Sequence, residues 1–270
     1  MPSRIQSPSS INTFKQCPRK YFYQYIAKLP TSTNVHLVRG SLVHEVLEQF
    51  FDLELPPEPT FELLGQHLHT LYSTKWRLAR PDFERIGIDA SKRQFYQIET
   101  EHMITNWFKH FQSKMTHVMT SKNLTFTEAF AKLTPIREKE YKDQELFVRG
   151  FIDAIFDVDG KIIILDYKTS SKQHISEEYR LQLGIYALLY QRLHGKLPDY
   201  VGIDFLKGAE VILPATQDLV TYAQTEIQFI HEQTESKDKA DYSKSPGPLC
   251  KWSTGQCDFY DTCFGVDKDT

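Results

Sequence analysis

Long apolar segments are missing from this chain of 270 residues. No run approaches the roughly 20 consecutive apolar residues that a membrane-spanning helix needs, so we expect no membrane partner. The first ten residues are polar and lack the charged-then-apolar layout of a secretory signal, which predicts an intracellular protein. A fixed-period repeat and low-complexity tracts are also missing, which excludes a solenoid.

Excess charge of either sign is missing too, because 32 Lys and Arg oppose 35 Asp and Glu and leave a net charge of −3. No global field therefore attracts a polyanion, and any nucleic-acid binding must come from local basic patches. With 40% hydrophobic residues, a chain of this length can bury a substantial core. Disordered, collagen-like and small disulfide-scaffold classes are excluded.

Hydrophobic periodicity predicts a helix-rich first half. Apolar residues recur at helical spacing over 42–51, and Pro56 and Pro57 close that segment. Two more helices are predicted over 61–78 and 90–119. We interpret the stretch 56–125 as a helical insert within a single domain that spans 1–270.

The second half changes period. Residues 145–157 and 161–169 are rich in β-branched and aromatic residues and are joined by Asp159-Gly160, the strongest short hairpin signal. The pattern then predicts a helix from a Ser176 cap to His194, a strand over 200–206 and a last helix over 217–235. This β-β-α-β order predicts an α/β fold, with the catalytic sheet core at 126–210.

The hairpin register places chemistry on one face. If Asp159 and Gly160 are the central residues of a type I′ turn, Asp153 lies opposite Asp166, and Lys168 falls on the same face. Two carboxylates in an apolar sheet are expensive unless a divalent cation lets both stay ionised, and oxygen ligands suit Mg²⁺ or Mn²⁺. The ordinary alternative is that Lys168 neutralises a surface carboxylate.

The few cysteines are unevenly placed. Cys17 lies near the start, and Cys250, Cys257 and Cys263 form a C-x6-C-x5-C cluster near the end. Disulfides are disfavoured inside cells, and four thiolates suit either Zn²⁺ or an iron–sulfur cluster. Spacing leaves the two open. We assign the metal-cluster region to 1–30 and 240–270.

These motifs together resemble the PD-(D/E)xK nuclease superfamily, in its RecB-like branch. The resemblance is carried by Gly40-Ser-Leu-Val-His44, Gly150-Phe-Ile-Asp153, Asp166-Tyr-Lys168, Gln182-Leu-Gly-Ile-Tyr186 and the opening around Cys17. It implies a restriction-endonuclease-like core, a central mixed sheet flanked by helices.

The resemblance also implies roles for individual residues. His44 would complete a metal site with Asp153 and Asp166, with Lys168, Gln182 and Tyr186 as catalytic or positioning residues. The branch often uses a Glu on the preceding strand, and Glu138 is the candidate. The tentative register instead places Glu138 near Arg149, where an ordinary salt bridge is as good an interpretation.

For the cysteines, the resemblance is to AddB-type and CRISPR-associated iron–sulfur nucleases, and it implies a structural [4Fe-4S] cluster. Just after Cys17, the cationic and aromatic residues Arg19, Lys20, Tyr21 and Tyr23 suit the stacking of unpaired bases. Packing of these rings around the cluster is an equally good interpretation.

The resulting hypothesis is a Mg²⁺- or Mn²⁺-dependent deoxyribonuclease, an exonuclease on single-stranded DNA or free ends. We expect a role in DNA repair, recombination or CRISPR adaptation, with a helicase or adaptation partner. The alternatives are a non-catalytic DNA-end binding protein on the nuclease fold, and a zinc-stapled phosphoesterase acting on RNA.

Overall fold

The computed structural model describes residues 4–252 and 255–265. Within those residues, none of the helices combines the length and the apolar character needed to cross a bilayer. The helices are α1 (Pro8–Gln16), α2 (Pro18–Tyr21), α3 (Val35–Phe50), α4 (Phe61–Leu78), α5 (Arg80–Ile86), α6 (Ala90–Lys122), α7 (Phe126–Lys132), α8 (Glu177–His194), α9 (Gln217–Gln233) and α10 (Tyr260–Phe264). A π-helical turn follows α2 at Phe22–Ile26.

A five-stranded mixed sheet forms the centre of the fold. Its strands are β1 (Ile136–Asp143), β2 (Val148–Val158), β3 (Lys161–Lys168), β4 (Tyr200–Phe205) and β5 (Glu210–Pro214). They lie in chain order across the sheet, and only β3 and β4 are parallel, because α8 connects them as a crossover. A small hairpin of β6 (Lys251–Trp252) and β7 (Gly255–Gln256) lies apart from the sheet.

The β2–β3 hairpin has the predicted register. Asp159 and Gly160 have left-handed φ angles of 59° and 77°, as a type I′ turn requires, and the Gly160 amide donates to Asp157. Strand pairing runs from Val158 opposite Lys161 to Ala154 opposite Leu165. The observed pairs end there, one residue before the predicted pair of Asp153 and Asp166.

Helices cover the sheet on both faces and create two apolar cores. On one face, α8 and α9 pack with α1 over the sheet, around residues such as Ile152 and Ile164. On the other face, α3 to α7 form a helical lobe, whose core reaches the sheet at Ala154 and Leu165. The layered α/β architecture predicted from the element order is confirmed.

The predicted helices are mostly confirmed, with one early boundary wrong. Helix α4 matches its predicted bounds, and α8 begins after a Ser176 cap and ends at Gly195 in the left-handed region. Helix α3, however, begins at Val35 rather than after Ser41, because the Asn34 side chain accepts from the amides of His36 and Leu37.

Several short elements had no predicted counterpart, among them the strands β1 and β5. Strand β1, with the sequence IREKEYKD, carries charged residues at most positions and shows little apolar alternation. It is nonetheless held by antiparallel pairing to β2 over most of its length.

Candidate metal and catalytic centre

Three side chains from different elements converge at the border between the sheet and the helical lobe. Nδ1 of His44 on α3 lies 3.4 Å from Oδ1 of Asp153 on β2 and 3.5 Å from Oε1 of Glu138 on β1. One ligand atom from each residue lies within 4.8 Å of the other two. One imidazole and two carboxylates so arranged fit a divalent ion such as Mn²⁺ or Mg²⁺.

The sheet is irregular where this cluster forms. Glu138 has a left-handed φ of 43°, a conformation that costs a non-glycine residue of order 1–3 kcal/mol. Ile152 and Ala154 are two residues apart, yet they belong to the cores on opposite faces, so the alternation of β2 breaks at Asp153. The strain and the break therefore coincide at two of the three converging residues.

The main chain of Tyr167 holds two of the cluster's side chains. Its amide donates to Oδ2 of Asp153 at 2.7 Å, and its carbonyl accepts from Nε2 of His44 at 3.1 Å. Since a carbonyl only accepts, Nε2 of His44 carries a proton, and Nδ1 faces the carboxylates. A ligating histidine is commonly oriented through its second nitrogen in this way.

The carboxylates also determine the charge of His44. Burial by itself would lower the pKa of this imidazole, but the hydrogen bonds to Asp153 and Glu138 raise it to about 10. A proton on Nδ1 therefore takes the place of a cation between the two carboxylates. A metal ion that binds there must displace this proton.

Asp166 lies beside the cluster but faces the opposite layer of helices. Its Oδ1 accepts from Nε2 of Gln182 at 2.7 Å, and its Oδ2 lies 2.6 Å from Nζ of Lys168. The same Gln182 amide donates to the hydroxyl of Tyr186 at 2.7 Å. Burial raises the pKa of Asp166 to about 6, although the Lys168 ammonium opposes the shift, and the Asp153 carboxylate adds to it.

A glycine brings Tyr186 close to the sheet. A Cβ added to Gly150 would lie 2.8 Å from Cε1 of Tyr186, which is closer than any ordinary contact. The Tyr186 ring thus packs directly on the main chain of β2, with its hydroxyl at Gln182. Two sequence motifs therefore meet in one place. One contains Gly150 and Asp153, and the other contains Gln182 and Tyr186.

A family model described as PD-(D/E)XK nuclease superfamily matches residues 6–264. The chain belongs to this superfamily. Its five-stranded mixed sheet with flanking helices is the fold that the sequence motifs predicted, and membership of the superfamily is confirmed.

Several known proteins are similar to this chain over different lengths. An ATP-dependent helicase/nuclease subunit of Clostridium botulinum (strain Kyoto / Type A2) is 24% identical over 68% of this chain and 16% of its own length. The corresponding helicase/nuclease subunit of Clostridioides difficile (strain 630) is 36% identical over 22% of this chain and 5% of its own length. The chain therefore matches only a small part of these larger relatives.

Two further proteins match over nearly their whole length. The Gene 69 protein of Mycobacterium phage L5 is 25% identical over 96% of each chain. A crystal structure described as "Putative exonuclease" from Eubacterium rectale covers 97% of this chain and 93% of its own, with a TM-score of 0.47 and 10% identity.

The strand register expected from the sequence placed Glu138 incorrectly. The tentative register set it beside Arg149, but Arg149 pairs with Glu140 at 3.3 Å, and Glu138 lies at His44 instead. In the observed register Glu140 faces Phe151, so Glu138 is the position that matches Asp153. Members of the family often carry a Glu on the preceding strand, and this resemblance was the signal that identified Glu138.

The cysteines lie in the terminal segments as the sequence requires. Cys17 separates α1 from α2, Cys263 lies on α10, and the amide of Cys257 donates to the carbonyl of Cys250 at 2.9 Å. Burial raises the pKa of the Cys263 thiol against the opposing charge of Lys244, and the neighbouring Cys17 and Cys250 add to the rise. The first and last segments of the nuclease thus meet.

The aromatic residues after Cys17 pack inside this region. Tyr21 is 0% exposed and Tyr23 is 4% exposed, so neither ring offers a face to a base. Nε of Arg19 donates to the Tyr242 carbonyl, and Lys20 donates to Gln16. This placement favours the packing interpretation. From the sequence, packing and base stacking were equally good interpretations.

Proposed function

We propose that this nuclease is a divalent-metal-dependent deoxyribonuclease that acts on single-stranded DNA and free DNA ends. The observation that carries the proposal is the convergence of His44, Glu138 and Asp153 beside the Asp166–Lys168 pair. An imidazole, three carboxylates and an ammonium at one border of the sheet have the composition of a metal-assisted hydrolytic site.

Three residues have the geometry to hold the metal, namely His44, Glu138 and Asp153. We assign Asp166 as a further ligand, since its charge interacts with the charges of Asp153 and His44. A divalent ion bound there supplies polarisation of the scissile phosphate and lowers the pKa of an attacking water. The nitrogen ligand favours Mn²⁺ over Mg²⁺.

Lys168 supplies the positive charge for the reaction. Its ammonium lies 2.6 Å from Oδ2 of the buried Asp166, and the Lys168 side chain is 22% exposed. In the proposal it orients the attacking water or stabilises the charge that develops on the phosphate. Gln182 and Tyr186 position Asp166 through the hydrogen-bond chain described above.

The four cysteines are proposed to hold a structural [4Fe-4S] cluster that closes the two terminal segments on each other. Such a staple acts on nearly the whole chain as one loop and stabilises the fold. Iron, sulfide and zinc analysis of anaerobically purified protein separates this cluster from a zinc site. Iron and acid-labile sulfide that disappear in Cys17→Ser support the cluster, whereas stoichiometric zinc without sulfide contradicts it.

The helicase/nuclease relatives suggest partners for the nuclease, since their names join the two activities. A separate helicase that delivers unwound strands to this site is therefore part of the proposal. We propose a place in DNA repair, recombination or CRISPR adaptation inside the cell, and the partner distinguishes these pathways.

The competing function is a DNA-end binding protein that keeps the nuclease fold without cleavage. Asp153 is 8% exposed and Asp166 is 2% exposed. Buried carboxylates are costly to retain without a ligand or a reaction, and this cost favours catalysis. A zinc-stapled phosphoesterase acting on RNA is the third candidate, and metal analysis with RNA and DNA substrates separates it.

Cleavage of end-labelled single-stranded DNA, duplex DNA and RNA with Mn²⁺ or Mg²⁺ tests the proposal. We expect the wild type and the surface variant Asp218→Ala to cut single-stranded DNA, and Asp166→Ala to be inactive. If the wild type binds DNA but cleaves none of these substrates, the nuclease proposal is wrong and the DNA-end binding function takes its place.

A further inference from the structure

An exposed aromatic side chain lies next to the metal ligands. Along β2, the side chains of Val148 and Ile152 point toward α8, and Gly150 faces the same way, since a Cβ added there would contact Tyr186 of α8. Arg149 and Phe151 alternate with them and therefore point to the other face, the face on which His44 contacts Asp153. Phe151 precedes Asp153 by two residues, about 6.6 Å along the strand.

The helical lobe leaves this part of the sheet uncovered. Its core covers the tip half of the hairpin, where Ala154 and Leu165 are buried. Beyond Asp153, Phe151 is 49% exposed although β2 lies inside the sheet. The metal ligands thus lie where a covered half of the face meets an open half.

The main chain that precedes Phe151 is held in place by neighbouring groups. Gln6 receives a hydrogen bond from the Arg149 amide at 2.9 Å and donates to the Phe147 carbonyl at 2.8 Å. Gly150 is fixed by its contact with Tyr186. The exposed ring therefore stands on a rigid strand, which suits a preorganised contact surface.

The charge around the ring suits a strand of nucleic acid. Arg149 lies next along the same face and is 51% exposed, and Lys142 is its exposed cross-strand partner on β1. Glu140 pairs with Arg149 and neutralises part of this charge. A cation, an aromatic ring and the metal ligands thus follow one another along the open half of the face.

We propose that Phe151 stacks on an unpaired base of the nucleotide adjacent to the phosphate held at the metal ligands, and that Arg149 contacts the backbone beyond it. The proposal rests on the proposed nuclease function, because the metal ligands define where the reacting phosphate lies. It deepens that function by giving the reason for a single-stranded substrate. In duplex DNA each internal base already stacks on both neighbours, so only an unpaired strand presents a free face to the ring.

Binding measured in EDTA tests the stacking without cleavage. We expect Phe151→Ala to weaken the binding of a fluorescein-labelled single-stranded oligonucleotide by about 5- to 150-fold, the effect of losing one stacked base. Phe151→Trp should retain affinity, and duplex binding should not change. Phe229→Ala is the matched control, since that ring is 46% exposed on α9, on the opposite face of the sheet. Equal single-strand affinity for the wild type and Phe151→Ala would overturn the inference.

An oligonucleotide series with one abasic position locates the stacked base. Moving the abasic position along the strand should identify one place where the wild type loses affinity and Phe151→Ala loses nothing more. Such coupling shows that ring and base act on each other, because independent contributions would add. Additive losses at every abasic position would contradict stacking.

The outcomes separate this inference from the proposed function. Cleavage by the wild type, combined with additive effects of Phe151→Ala and the abasic positions, overturns the stacking and leaves the nuclease intact. Coupled effects in a protein that cleaves no nucleic acid support the stacking and overturn the proposed catalysis.

Discussion

His44 and Glu138 contact each other across the border between the helical lobe and the sheet, with Nδ1 and Oε1 3.5 Å apart. No single element contains the proposed metal site, because His44 lies on α3, Glu138 on β1 and Asp153 on β2. The arrangement of helix against sheet brings the three side chains together, and Glu138 is the most informative residue to change.

Glu138→Gln should reduce Mn²⁺ affinity by at least about 10- to 100-fold, because an amide removes a charged ligand from the site. Isothermal titration calorimetry with Mn²⁺ measures the change. Glu140→Gln is the matched control, since Glu140 is on the same strand and pairs with Arg149 instead. Similar losses in both variants would mean that general negative charge, rather than coordination by Glu138, attracts the ion.

Lys168→Ala should lower kcat by about 10²–10³-fold while Mn²⁺ binding persists, because the ammonium is assigned to the reacting groups rather than to the ion. Single-turnover cleavage of labelled single-stranded DNA provides the rate. Lys172→Ala is the comparison variant, as Lys172 is exposed and pairs with Glu178. An unchanged rate in Lys168→Ala would remove this residue from the mechanism.

Gly150→Ala should destabilise the fold by about 1–3 kcal/mol, the usual cost of overpacking, since the new methyl group would lie 2.8 Å from the Tyr186 ring. Displacement of that ring should also disturb its hydrogen bond with Gln182 and lower activity. Urea unfolding gives the free energy. Gly247→Ala should be neutral, because a Cβ there meets no atom of the described residues within 4 Å. Equal stability of the two variants would show that the ring moves away freely.

Asp204 should make stability depend on pH. Burial raises its pKa from 3.8 to about 6, with a smaller contribution from Glu210 and an opposing one from Lys114. The unfolded chain releases this proton near pH 4, whereas the folded protein keeps it until about pH 6. The stabilisation that the protonated Asp204 side chain provides is therefore complete below about pH 4 and is lost as pH rises through 6. The free energy of unfolding falls by about 3 kcal/mol over this range.

Comparison with Asp204→Asn isolates this effect. Relative to that variant, the unfolding free energy of the wild type should fall between about pH 4 and pH 7. Asp218→Asn, at an exposed position of α9, should follow the wild type. A difference between the wild type and Asp204→Asn that stays constant with pH would mean that Asp204 titrates alike in the folded and unfolded states.

The sequence by itself determined the features that depend on neighbouring residues. A type I′ turn at Asp159-Gly160 sets the hairpin register, so the pairing from Val158–Lys161 to Ala154–Leu165 followed from two residues. Caps at Ser176 and Gly195 likewise set the ends of α8. Such signals are local, and tertiary contacts did not change them.

Tertiary structure decided the rest, because those features depend on what packs against what. Glu138 reaches His44 through a left-handed backbone on a strand with little apolar alternation, and no local signal predicts that conformation. Tyr21 and Tyr23 have the composition of a base-stacking surface, yet the packing of the terminal segments buries them. Phe151 lies in an apolar run, and it is exposed only because the helical lobe ends beside Asp153.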